Sequence, residues 1–542
     1  MKKILQFLFL GCSAMAVAQT PIQHFSFNGN VTNDAGNISF IAPVPATNYY
    51  WQANENGTPN TAVGLNGTPF KAVIPNLPQG NAPRTVMIKV LSAFGMTQNP
   101  IFSYGTASAN QAFGLTHVDT SPSTGNVANN KLVAYLWGAN TFEYQACGIT
   151  NTNFYLLTMT FDGTTLKVYK DTQLVFWTNV TMNTSGTDFY LNSILGPQVA
   201  SSNTIKVDDL KIYDVALTQD QVTANYLDAG TNFNTGLLAF YDFQYNLDSY
   251  TGTHNLTPYN GNYPNFYLGV EGTPSSKAAA FEGTTAAYNT TLATAFNNSE
   301  YTIAYWEYGM NTTVYNPYGT TYELFGSHYS RRDVNGIYQT AAYVDPTAAW
   351  MPENHGTFYT SGWLHKAFVF KYNAALSRTE ITEYENGIFV ATTYLTGQLS
   401  LHQFNNKFTV GSGTDASGNM MASKFGKFSI DKLFIYSKAL TKKEINVIKD
   451  QHERVFTLPL AVADFNSQNN LKVALYPNPV RDILNIETDT EIKSVDIYNL
   501  QGQKIKTALS KQVNVADLAS GIYMIRVEDE NYAISTKRFI KE

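Results

Sequence analysis

Carboxylates come first among the residues that could do chemistry. Glycoside hydrolysis needs two acidic side chains flanking one bond. On a strand they would stand at even spacing, on one face. The run Glu380-Ile381-Thr382-Glu383-Tyr384-Glu385 is the nearest approach to that pattern, and it reads as a solvated strand face rather than a catalytic pair. The next resource is aromatic. Trp51, in Tyr49-Tyr50-Trp51-Gln52-Ala53-Asn54, lies in a polar stretch. Trp350, in Asp345-Pro346-Thr347-Ala348-Ala349-Trp350-Met351-Pro352, is bounded by prolines. Both stretches read as loops, where an indole could stack on a sugar ring, and loop packing is the alternative for each. The eight His show no metal-binding spacing such as H-E-x-x-H, and neither G-x-S-x-G nor a Gly-rich phosphate loop with Lys occurs. Ser330-Arg331-Arg332-Asp333 reads as a surface loop, not an anion site.

The elements that would position these residues contain a repeat. Residues 207–222 (VDDLKIYDVALTQDQV) and 430–445 (IDKLFIYSKALTKKEI) align without gaps, sharing Asp208 and Asp431, Leu210 and Leu433, the Ile-Tyr pairs, and Ala-Leu-Thr. Asp, Leu and Ile alternate, which predicts one face of a strand. Thr218 with Gln221, and Thr441 with Glu444, are capping boxes. Each predicts a short helix, ending near Tyr226 and His452. A repeated ending implies two copies of one domain.

The 542 residues are 44% hydrophobic and only 14% charged, so large cores must be covered by an uncharged polar surface. The N-terminus has two lysines, an apolar run and Ala16-Val17-Ala18, which predicts a signal peptide, 1–18, cleaved before Gln19. A competing lipoprotein reading runs through Leu10-Gly11-Cys12. Cleavage removes Lys2 and Lys3, taking the net charge from −6 to −8. A mildly acidic chain without a basic cluster argues against nucleic acid and anionic membrane as partners. Cys147 is then alone, so the mature monomer has no internal disulfide, and no further apolar run could span a bilayer.

The repeated ending resembles the closing motif of laminin-G-like, concanavalin A-like jelly-roll domains of secreted bacterial proteins. Residues 19–228 are the first copy, with Leu65-Asn66-Gly67, Thr85–Val90, Ile101–Gly105, and the hairpin Leu156–Asp162, Gly163, Thr165–Lys170. Thr172 stands where the family usually has Gly. Residues 229–453 are the second, through Leu238–Phe243, Ala279–Gly283, Tyr301–Trp306, Trp363–Phe370 and Phe408–Gly411. The resemblance implies an all-β fold of two sandwiches in tandem, with Trp306 and Trp363 as core. It also implies a structural Ca2+, held by Asp248 and Asp431 in the second copy and by Asp34 and Asp208 in the first. Glycosidases share this fold, and one glucanase family has a catalytic E-x-D-x-x-E strand. Here Thr382 replaces its Asp.

Residues 454–470 read as a linker. Residues 471–542 carry Tyr476-Pro477-Asn478-Pro479, Gly521-Ile522-Tyr523 and the basic Lys537-Arg538-Phe539-Ile540-Lys541. This resembles the C-terminal sorting domain of the type IX secretion system of Bacteroidota, a small immunoglobulin-like β-sandwich. The resemblance implies that the secretion machinery is a partner, through Pro477, Asn478, Pro479, Gly521, Tyr523 and Lys537. The expectation is a secreted or surface-held, non-catalytic binding or adhesion protein for a glycan or an extracellular protein. A polysaccharide-degrading enzyme or its accessory subunit, and a structural surface protein, are the alternatives.

Overall fold

The computed structural model describes residues 19–41, 49–55, 57–92, 98–119, 130–138, 141–145, 147–195, 204–228, 231–296, 299–309, 320–325, 328–332, 338–344, 349–355, 362–399, 406–415, 417–456, 473–488, 490–499, 504–529 and 534–542. The expected signal peptide and Cys12 lie outside them, as do 457–470 of the expected linker.

The fold is all-β. Among the described residues of the first copy, one antiparallel sheet runs Gln173–Asn179, Thr165–Lys170, Tyr155–Phe161, Arg84–Ser92, Thr204–Tyr213, Ala62–Asn66, Tyr49–Gln52, with Gln23–Phe25 beside Thr204–Tyr213. Facing it is Phe70–Val73, Asp188–Leu191, Asn99–Gly105, Ala112–Asp119, Asn130–Tyr135, Thr141–Gln145. Alternate residues point between the sheets, so Val86, Ile88, Leu157, Leu210 and Ile212 meet Phe102, Phe113, Leu132 and Phe189 in one core.

The second copy repeats the plan. Its larger sheet runs Asn265–Leu268, Lys277–Glu282, Lys427–Tyr436, Glu300–Gly309, Trp363–Asn373, Arg378–Glu385, Ile388–Thr396, with Leu237–Tyr241 beside Lys427–Tyr436. The opposing sheet begins Thr257–Pro258, Ala287–Asn289, Phe408–Val410, Thr320–Leu324 and continues through His328–Arg332, Tyr338–Val344, Ala349–His355. Ser330-Arg331-Arg332 is therefore strand rather than loop, and Asp333 lies outside the described residues.

Both repeated strands carry a β-bulge that the simple alternation did not predict. The register shifts between Asp208 and Leu210, leaving Asp209 at φ 53°. Lys432, its counterpart, has φ 48°. The extra residue resets the alternation. Leu210 and Ile212 face the core with Val207, while Asp208 pairs with Lys89 on the outer face. The Asp and the Leu expected on one face are thus on opposite faces.

The capping boxes form as expected. Thr218 Oγ1 accepts from the Gln221 amide and Gln221 Oε1 from the Thr218 amide, starting helix α1, Gln219–Tyr226. Thr441 and Glu444 do the same for helix α2, Lys442–Gln451. Helix α2 buries Ile445, Val447 and Ile448 against Phe240, Val369 and Phe434 on the outer face of its own sheet.

Residues 1–461 form one compact unit, and α2 joins its two copies. Asn446 donates to Tyr226 Oη at 3.0 Å. Lys443 pairs with Glu55 at 3.2 Å and with Asp228 at 2.8 Å. Thr172 is fully buried here: its hydroxyl donates to Asp450, and its carbonyl accepts from Gln219 and Gln451. Residues 452–456, expected in the linker from 454 onward, form a 3-10 turn whose Phe456 stacks on Tyr250 at 4.8 Å.

The second unit, 462–542, holds two sheets among its described residues. Ala474–Tyr476, Ile483–Glu487, Gln512–Asn514 face Lys504–Ala508, Ile492–Tyr498, Gly521–Asp529, Ile534–Lys541, over Leu484, Ile497, Ile525 and Phe539. Gly521 opens its strand. Tyr523 stacks on Phe539 at 5.6 Å and donates to Ala519 O. Asn478, between Pro477 and Pro479, accepts from the Ile540 amide at 2.8 Å. Lys537 is exposed on the edge strand.

Candidate functional site

The strand Arg378–Glu385 does not present a solvated acidic face. Antiparallel pairing puts Glu383 opposite Phe368 and Glu385 opposite Lys366, on the side that faces into the sandwich. Lys366 Nζ lies 2.7 Å from Glu385 and 3.3 Å from Glu383, with Lys366 and Glu383 both buried. Glu380 is on the other side, bound to Arg378 at 2.8 Å. The alternation was legible in the sequence, but which face turned inward was not. Lys366 thus ties both inward carboxylates into one ion-paired group.

The four candidate calcium carboxylates have different surroundings. Asp34 takes an ion pair from His24 Nδ1 at 2.7 Å and a hydrogen bond from Ser26. The other His24 nitrogen meets Asp209 at 2.5 Å. Burial alone would raise the Asp209 carboxyl, but Lys211 and His24 outweigh it and hold the group well below the carboxylate range. Asp208 lies on the outer face near Lys89, and burial pushes it up to about 7 against that cation. Asp431, fully buried, is likewise pushed up to about 7 by burial, although it accepts the Val270 and Lys432 amides. Asp248 is exposed, its amide donating to Asn246 Oδ1 at 2.9 Å.

Register shows why the expected pairs do not match. Phe25 lies opposite Leu210, and Tyr241 opposite Leu433. Counting on, Asp34 and Tyr250 are equivalent, and each donates its amide to the equivalent carbonyl, His24 O and Phe240 O. His24, Asp34 and Lys211 of the first copy become Phe240, Tyr250 and Phe434, an aromatic stack sealed by Phe456. Calcium needs several oxygens converging on one point. The four expected carboxylates do not fit that donor set, and among the described residues no three His, Cys, Asp or Glu group as ligands.

The tryptophans are also placed differently from expectation. Trp51 belongs to the strand Tyr49–Gln52, opposite Val63, half-buried against the first core. Trp350 belongs to the strand Ala349–His355, opposite Tyr343. Strand formation follows from β-favouring aromatics at both sites. Trp363 packs on Tyr308 at 5.6 Å. Trp306 packs outside the sandwich, at 5.3 Å from buried His365 and 6.1 Å from His452.

Sequence reasoning missed Trp177. It sits on the edge strand Gln173–Asn179, opposite Lys167, and is 60% exposed. Its neighbours Val175 and Phe176 pack on the core. Beyond Asn179 the surface opens into a cleft of about 530 Å³, between Gly80-Asn81, the turn Gly163-Thr164 and the segment from Asn179 to Asn183. Asn, Thr and Gly scattered over three segments carry no local signal of a common site.

No curated protein matches the chain. Among solved structures, domain 4 of a GH43 extracellular arabinanase from Geobacillus stearothermophilus, in complex with arabinotriose, is 18% identical over 39% of this chain and 98% of that one, at a TM-score of 0.28. The botulinum neurotoxin type G receptor binding domain is 10% identical over 82% of this chain and 96% of that one, at 0.31. A botulinum neurotoxin DC binding domain in complex with SialylT is 11% identical over 56% and 73%, at 0.30. Among the described residues no helix is long and apolar enough to cross a membrane. Residues 474–542 match the family described as secretion system C-terminal sorting domain, and the chain is exported by the type IX secretion system to the cell surface or the extracellular space.

Proposed function

We propose that the exported chain is a non-catalytic binding or adhesion protein that recognises carbohydrate through two laminin-G-like modules. The repeated strand, bulge and capped helix support the modular part of this reading. The observation that carries the binding part is Trp177, which is 60% exposed on an edge strand whose Val175 and Phe176 pack partly against the core. An exposed indole gains most when a partner covers it, and a sugar ring offers an apolar face of suitable size. The lysine-held pair Glu383 and Glu385 supports a non-catalytic role.

The test is a glycan-array screen of the full chain, run with calcium and again with chelator. Binding to one glycan class supports the reading, and its loss with chelator would bring a calcium site back. Silence in both arms overturns it in favour of a protein-binding or structural role. Shortened glycans on the array would overturn it in favour of an enzyme.

A further inference from the structure

Resting on that carbohydrate-binding reading, we propose that the cleft beside Trp177 is a subsite for an uncharged oligosaccharide. Its lining offers three amides, Asn81, Asn179 and Asn183, and two hydroxyls, Thr164 and Thr181, and it includes no charged side chain. Amides and hydroxyls match sugar hydroxyls as donor and acceptor at once. The lining holds no Arg or Lys for a phosphate, sulfate or uronate, and Lys167, opposite Trp177, stands outside it. A volume of about 530 Å³ is within the range of small-molecule sites.

The cleft is built rather than incidental. Its first wall is clamped by Arg84, a fully buried side chain. The guanidinium donates to Gly80 O at 2.8 Å, Ala82 O at 2.9 Å and Tyr104 Oη at 2.9 Å. Gly80 and Thr184 exchange backbone hydrogen bonds, tying that wall to the far end of the third segment. Val180 donates to Thr164 O at 2.9 Å, which ties the third segment to the turn. Asp162 accepts three bonds from Thr164 and Thr165, so the turn has its own internal support. Gly163 sits in the turn at φ 103°, a backbone conformation that residues with a side chain rarely adopt. Such a preformed site spends little free energy on ordering when it binds.

Trp177 extends the cleft into a platform. Trp177 and Asn179 are two residues apart on one strand and share its outer face, opposite Lys167 and Thr165. That spacing is about 7 Å, so a ring stacked on the indole can continue into the cleft. Asn179 is already oriented, its Oδ1 accepting from Thr165 Oγ1 at 3.1 Å.

The test is calorimetric titration of the full chain with neutral hexasaccharides of glucose, xylose, mannose and arabinose, and with hexagalacturonate as the acidic control. Trp177→Ala and Asn183→Ala are titrated in parallel, with circular dichroism and melting curves to confirm folding. The expected result is binding of at least one neutral hexasaccharide, weaker by about tenfold or more in each variant, at unchanged fold. Neutral-sugar binding that both folded variants retain would overturn the subsite and leave the wider reading standing. Binding of hexagalacturonate alone would overturn the neutral class. If neither probe binds and the array is silent as well, subsite and wider reading fall together.

Discussion

Thr172 of the first sandwich donates its hydroxyl to Asp450 of the second at 3.0 Å, across 278 residues of chain. Thr172 is fully buried, and the Asp450 side chain is only 8% exposed. The hairpin tip of one copy is thereby wedged between α1, through Gln219, and the end of α2, through Gln451. Thr172 thus joins the two copies together with Asn446 on Tyr226 and Lys443 on Glu55 and Asp228.

Replacing Thr172 with Val keeps the shape and removes the donor. The buried Asp450 carboxylate then loses a partner, at a cost of about 1–3 kcal/mol. Urea denaturation should show an earlier midpoint for the unit 1–461. An unchanged midpoint would mean that the contact contributes nothing to joining the copies.

Lys366 holds Glu383 and Glu385 inside the second sandwich. Lys366→Met should cost about 3–5 kcal/mol, because it leaves buried carboxylate charge uncompensated. Lys366→Met with Glu383→Leu should recover much of that loss. Thermal melts of the single and double variants check it, and a double variant no better than the single one would count against the pair.

Stability should depend on pH through Asp208 and Asp431. Burial pushes both up to about 7, while the unfolded groups titrate near 4. Between about pH 4 and pH 7 the folded chain therefore holds protons that the unfolded chain has lost. Stability contributed by the protonated groups is present at the acid end and is lost as pH rises through about 7. Melting temperature measured across pH 4 to 8 should fall in that window, and Asp431→Asn should flatten part of the slope. A wild-type curve that rises through the same window would refute the assignment.

Helix α2 packs on its own sheet and on the first copy, so its start should matter beyond the helix. Thr441→Ala removes the cap and should cost about 1 kcal/mol. Hydrogen exchange should show faster amides both in α2 and around Thr172. Acceleration confined to the first turn of α2 would show that the helix does not transmit its stability across the contact.

Much of the fold was legible because its signals are local. Thr218 and Thr441 each stand three residues before a Gln or Glu, and a cap of that kind needs nothing from the rest of the chain. Leu156–Asp162 and Thr165–Lys170 flank an Asp-Gly turn, so their pairing could be read directly. The tail was legible for the same reason, through Pro477-Asn478-Pro479 and Gly521-Ile522-Tyr523.

By itself, then, the sequence determined the all-β class, the repeat, the capped helices and the exported tail. Each depends on residue type and short spacing. Tertiary structure alone decided the candidate sites, because each depends on register or on distant segments meeting. One bulge at Asp209 turned Asp208 away from the Leu210 face. The strand pairing of Glu385 with Lys366 turned an apparent solvated edge inward. Asn81, Thr164 and Asn183 line one cleft only because three segments distant in the chain meet, through Gly80 with Thr184 and Thr164 with Val180. Local chemistry chooses an element, but which of its faces meets which partner is fixed only by long-range packing.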